Sequence, residues 1–98
     1  MKPDLTRITA ATRRALEDGI FQEMDRLAAA AIALEWLDQE VYEAGLGAMD
    51  TPRALGLWLV QPAYLLHGRV PVRVLAERAG RKEVLDLLRA WARGDLFD

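Results

Sequence analysis

The sequence predicts an all-α fold: a compact bundle of about six helices, with two longer N-terminal helices packed on a C-terminal set of short ones. Three observations predict it. Apolar residues recur at steps of three and four along most of the chain, and prolines and glycines cut that periodic sequence into helix-length pieces. Strand signals are nearly missing, because the one β-branched cluster, Arg69-Val70-Pro71-Val72, is interrupted by a proline that cannot donate to a ladder.

The elements follow in order. Pro3 suits a first-turn position, and Leu5, Ile8, Thr12 and Leu16 continue at helical spacing to Gly19, which gives a first helix over 3–18. A second begins near Ile20 and carries Phe21, Met24, Leu27, Ala31, Leu34, Leu37 and Val41 on one face, ending where Gly45 and Gly47 stand. Within it, the small residues 28–31 allow another helix to approach closely. Thr51-Pro52 is an N-cap followed by proline at the first helical position, so a third helix carries Leu55, Trp58 and Leu59 and stops before Pro62. Pro62 opens a short fourth helix over 63–66, closed by Gly68. Pro71 opens a fifth, with Val72, Leu75 and Ala79 on one side and Gly80 as its stop. A sixth runs over 81–93, with Val84, Leu87, Leu88 and Trp91 inward and Gly94 at its end.

With 98 residues, no repeat and a short 45–50 connection, the chain reads as a single domain, 1–98, whose helical pair over 1–48 leads into a segment over 51–98. The 52% hydrophobic and 29% charged residues suit a soluble core-forming chain. The absence of cysteine excludes disulfides, thiolate metal sites and thiol nucleophiles, and His67 as the only histidine makes a histidine metal cluster unexpected. The N-terminal residues lack the apolar core of a signal peptide, and the longest apolar run, 27–34, is far shorter than the ~20 residues of a membrane span, so a cytoplasmic protein without a membrane partner is expected. Charge is segregated: residues 1–50 carry 5 Lys/Arg against 10 Asp/Glu, and residues 51–98 carry 8 against 5. The C-terminal half is therefore the one expected to face an acidic surface.

No enzyme motif is present, and no catalytic, cofactor or metal residue is assigned. Glu77, Glu83 and Asp86 each stand beside a basic residue, as in Glu77–Arg81 and Asp86–Arg89, which reads as a charge-paired solvated face. Trp36, Trp58 and Trp91 sit on apolar stripes and are expected in the core, with Met24 and Met49 as gap-fillers. The segment 75–80 resembles the first helix and turn of a helix-turn-helix, with Ala76 and Gly80 at the crossing positions. The next helix then places Arg81, Asp86 and Arg89 where packing needs apolar residues, so DNA reading is disfavoured. Leu96 and Phe97 follow the last helix, where they either fold back or enter a partner.

The ordered series Ala54, Trp58-Leu59, Pro62, Gly68, Pro71, Gly80, Val84, Leu87-Leu88 and Gly94 resembles the C-terminal toxin-binding domain of Xre/MbcA/ParS-type antitoxins over residues 51–98. Ala63, Val70 and Ala90-Trp91 depart from residues common in that family, and residues 1–50 are too short for the Xre-like domain that usually precedes it. In this resemblance Trp58, Pro62, Gly68, Pro71, Gly80 and Gly94 specify the fold. It implies an antitoxin that occludes the active site of a RES-type toxin, an ADP-ribosyltransferase-like consumer of NAD. Arg73, Arg78, Arg81, Arg89 and Arg93, with the tail Leu96-Phe97-Asp98, are the expected contact surface. The N-terminal helical pair over 1–48 is expected to serve homodimerisation or to complete the core. The alternatives are a small Xre-type DNA-binding regulator and an orphan helical scaffold.

Overall fold

The structure, a computed structural model, describes residues 9–96. It is all-α among those residues, with five α-helices: α1 (Ala10–Glu35), α2 (Gln39–Met49), α3 (Pro52–Leu59), α4 (Pro71–Leu75) and α5 (Gly80–Arg93). A 3-10 turn, Tyr64–Leu66, lies between α3 and α4. The sole β-type pairing among the described residues is an isolated bridge between Ala63 and Arg69.

The N-terminal half is divided differently from the expectation. Thr9 caps α1, accepting from the Thr12 N–H at 3.1 Å, and the helix then runs unbroken through Gly19 for 26 residues. The expected helix start at Pro3 lies outside the described residues. The break comes instead at 36–38, where neither glycine nor proline stands. Asp38 accepts from the Val41 N–H at 3.0 Å and so caps α2, while Leu37 before the cap and Tyr42 in the first turn pack against the same cluster, the two positions of a hydrophobic staple. Gly45 and Gly47 do not end α2, which stops at Asp50 in a left-handed conformation that aspartate tolerates.

The C-terminal segment follows its proline signals. Thr51 accepts from the Ala54 N–H at 3.1 Å with Pro52 in the first turn, and Pro71 opens α4. Gly80 is not a stop: α4 ends at Leu75, and Gly80 is the first residue of α5. At the far end, Gly94 is left-handed, its N–H donates to Trp91 O at 3.0 Å, and the Asp95 N–H donates to Ala90 O at 2.9 Å, the paired bonds of a Schellman turn.

Two clusters of buried side chains hold these pieces. Val41, Ala63, Leu66, Val74, Val84, Leu85 and Leu88 form one between α2, the 3-10 turn, α4 and α5; Ala33, Leu55 and Leu59 form the other between α1 and α3. Leu37, Met49, Trp58 and Leu75 pack against both. Trp58 and Trp91 meet edge to face with ring centroids 6.0 Å apart, which ties α3 to α5. Trp36 and Met24, expected in the core, are instead exposed, Trp36 at 82%.

The reason is that α1 is long and the rest of the fold is short. Only its last turns reach α3, where Ala30 Cβ and Leu34 lie 3.1 Å from the position a Gly56 Cβ would take. Residues 10–29 are exposed throughout. The molecule measures 53 × 28 × 24 Å, with a radius of gyration of 17.7 Å, against about 13 Å for a compact domain of this length. The expected compact arrangement therefore holds for α2–α5 and the end of α1, and not for the N-terminal two thirds of α1.

Candidate protein-interaction surface

The candidate site residues fall into four sets. Arg81 and Arg89 on α5 face the start of α2. Arg81 donates through Nε to Asp38 at 2.9 Å and through NH2 to Glu40 at 2.6 Å, and Arg89 donates to the other Glu40 oxygen at 3.0 Å. Arg93 donates to Asp95 at 2.8 Å. Arg73 on α4 and Arg78 in the α4–α5 turn are exposed and have no ion-pair partner among the described residues. Of the tail, Leu96 is half-buried, and Phe97 and Asp98 lie outside the described residues.

The segregated charge of the sequence is thus matched in part within the molecule, since the acidic turn that starts α2 is a partner of the basic α5. The expected Glu77–Arg81 and Asp86–Arg89 pairs are replaced: Glu77, in the turn before α5, approaches Arg69 at 4.0 Å, and Asp86 accepts from Lys82, an i,i+4 pair within α5, at 2.6 Å. Arg69 was not foreseen as a structural residue. It donates through Nε to Leu66 O at 2.9 Å and pairs with Glu83, fastening the 3-10 turn to the first turn of α5.

Arg81 and the Val41 N–H together hold the Asp38 carboxyl down from 3.8 to about 2. Arg81 and then Arg89 hold Glu40 below its usual range, and Lys82 does the same for Asp86. Each folded-state pKa is depressed, so the stabilisation is complete above the unfolded value and is lost as pH falls through the folded one. The melting temperature is expected to drop as pH falls from about 4 towards 2. A D38N/E40Q variant, which keeps a capping side chain, is expected to show a flatter acid limb; an unchanged pH profile of thermal melting in that variant would exclude the cluster as its source.

The 3-10 turn presents the other distinctive surface. Ala63 N–H donates to Arg69 O at 3.0 Å and Gly68 N–H to Ala63 O at 2.9 Å, and His67 and Gly68 both take positive φ, so the backbone of 63–69 closes on itself. This fixed turn holds Tyr64 out at 92% exposure with Leu65 beside it. Their exposure carried no sequence signal, because both stand in an apolar run, Ala63–Leu66. A groove of about 220 Å³ lies between the end of α1 and α4, lined by Ala33, Trp36, Leu37, Val72, Leu75 and Ala76.

No family model, curated protein or solved structure matches the chain. The site is therefore read from its own chemistry. Among the described residues there is no group of three or more His, Cys, Asp or Glu side chains placed to hold a metal, and no helix is long and apolar enough to cross a membrane. What the described surface offers is Tyr64 and Leu65 set on a fixed backbone, and the exposed arginines Arg73 and Arg78.

Proposed function

We propose that the chain is an antitoxin-type protein-binding module whose 51–98 segment engages a RES-type toxin and blocks its access to NAD. The observation that carries the reading is Tyr64: within the Pro62–Gly68 turn that the antitoxin resemblance includes, an aromatic side chain is held almost fully in solvent by a hydrogen-bonded backbone. Tyrosine on a pre-organised support is the residue type that anchors protein interfaces. Arg73 and Arg78 supply the electrostatic part, and Leu96 with Phe97 and Asp98 extends the contact. Arg81 and Arg89 serve the fold by joining α5 to α2.

The first test is whether the neighbouring gene encodes a RES-type toxin, and the second uses that toxin purified. A stoichiometric amount of the full chain is expected to stop its NAD consumption. Tyr64→Ala and deletion of 95–98 are each expected to weaken binding by at least about tenfold, with Tyr64→Ala leaving the melting temperature unchanged. Undiminished NAD consumption at molar excess of a folded chain overturns the proposal. In a titration with non-specific duplex DNA at low salt, no micromolar binding is expected, because Arg81, Arg89 and Arg93 are engaged by carboxylates and Arg73 and Arg78 offer few phosphate contacts. Tight, salt-sensitive duplex binding in place of toxin binding would select the Xre-type regulator.

A further inference from the structure

Among the described residues, nothing covers the apolar stripe along the outer two thirds of α1. Leu16, Ile20, Met24 and Leu27 follow at steps of four, four and three and continue to Ala31, with Phe21 and Ile32 about 100° further round the helix. Leu16, Ile20, Phe21, Met24 and Ile32 are 56–60% exposed. By helical rotation this stripe is turned roughly a quarter of a turn from Ala30 and Ala33, which pack on α3, so both faces can be occupied together. Most helical stability in proteins comes from covering such a face.

We infer that a second copy of this chain covers the stripe, the two α1 helices pairing antiparallel about a two-fold axis near Met24. Charge complementarity identifies the occupant. Arg13 and Arg14 stand near the N-terminus of α1 and Glu35 at its C-terminus, an order that opposes the helix dipole within one chain. Antiparallel pairing places each copy's Arg14 beside Glu35 of the other and beside the negative end of that helix. With the axis near Met24, Leu16 meets the region of Ile32, and Ile20 and Phe21 meet Leu27 and Ala28; Glu23 and Arg26 already pair within each α1 at 3.5 Å. Parallel pairing would instead set arginine against arginine and glutamate against glutamate. A lipid surface fits less well, since α1 carries Glu17, Asp18, Glu23, Asp25 and Glu35 against Arg13, Arg14 and Arg26, whereas helices that lie on membranes are basic.

Side chains of this size at these exposures offer on the order of 100 Å² each; Leu16, Ile20, Met24 and Leu27 share one face, and Phe21 and Ile32, further round the helix, add part of theirs, so two copies bury about 800–1,200 Å², reaching the lower end of the stable-interface range. Such a dimer holds the two α2–α5 bundles at opposite ends of the helix pair, leaving Tyr64 of each copy outside the contact. The inference does not depend on the toxin reading.

The experiment is sedimentation equilibrium on the full chain, together with cysteine cross-linking, for which the absence of native cysteine gives a clean background. The wild type is expected to be a dimer at micromolar concentration. An I20E/M24E variant is expected to be a monomer with its bundle intact, since both residues are exposed in the single chain. Arg14→Glu is expected to weaken the dimer by about tenfold, and adding Glu35→Arg to restore it. A mixture of R14C and E35C chains is expected to form the mixed disulfide in preference to either self-disulfide. A wild type that stays monomeric, or a dimer unaffected by I20E/M24E, overturns the inference; self-disulfides of R14C overturn the antiparallel arrangement.

Discussion

Gly80→Ala is expected to destabilise the bundle by about 3 kcal/mol or more, the largest effect of any single methyl group in this molecule. A Cβ built on Gly80 collides with the carbonyl oxygen and carbon of Val74, which are backbone atoms and cannot rotate away. The N-terminus of α5 would have to back off from the end of α4, and Val74 and Val84, both fully buried, would lose contact. Gly45→Ala also meets an obstacle, but there it is the end of the Leu55 side chain, which has rotamers to use, so about half that cost is expected. Gly19→Ala meets nothing within 4 Å and is expected to favour α1 by about 1 kcal/mol of helix propensity. Urea denaturation of the three variants checks the order. A Gly80→Ala protein as stable as Gly45→Ala would mean that the close approach at Val74 does not constrain the fold.

These glycines also mark where the sequence was and was not legible. Thr51-Pro52, Pro71 and Gly94 act locally: a hydroxyl cap, a fixed φ and a left-handed turn are properties of the residue and its immediate neighbours, and all three stand at helix boundaries as expected. Gly45 and Gly80 act at a distance, admitting Leu55 and the Val74 carbonyl, and no neighbouring residue announces that. Gly19 is a helix-interior glycine whose cost the surrounding helix formers outweigh. The break at 36–38 did have a signal, the Asp38 cap flanked by Leu37 and Tyr42, but it competed with stronger-looking glycines on either side. The apolar stripe of α1 was legible as periodicity. Periodicity cannot say whether the covering surface belongs to the same chain, and so Met24 and Trp36 read as core residues.

The candidate surface was less legible than the fold for the same reason. An arginine's role depends on which carboxylate lies across space, and the partners of Arg81 stand 43 and 41 residues away in Asp38 and Glu40. Tyr64 is distinguished from the buried Leu66 only by its place on the turn, and two residues of a 3-10 turn differ in exposure through geometry that composition does not encode.

Leu88→Ala is expected to cost about 3–4 kcal/mol, within the 2–5 kcal/mol range of buried leucine truncations. Leu88 is wholly buried, and its cluster is walled by α2, the 3-10 turn, α4 and α5, four elements that cannot all close on the lost volume. For a domain of this size the change corresponds to a fall in melting temperature of about 15 °C. The half-buried neighbour Leu87 is the control, with about 1 kcal/mol expected for Leu87→Ala. The fraction of total stability at stake is large: domains hold about 0.05–0.15 kcal/mol per residue, and the exposed part of α1 adds little burial to a single chain. Urea denaturation at constant m-value checks the pair, and equal losses at 87 and 88 would refute the assigned core. Comparison with Tyr64→Ala then separates fold from binding. Under the proposed toxin binding, Leu88→Ala below its lowered melting temperature should bind in proportion to its folded fraction, whereas Tyr64→Ala should lose affinity with its stability intact.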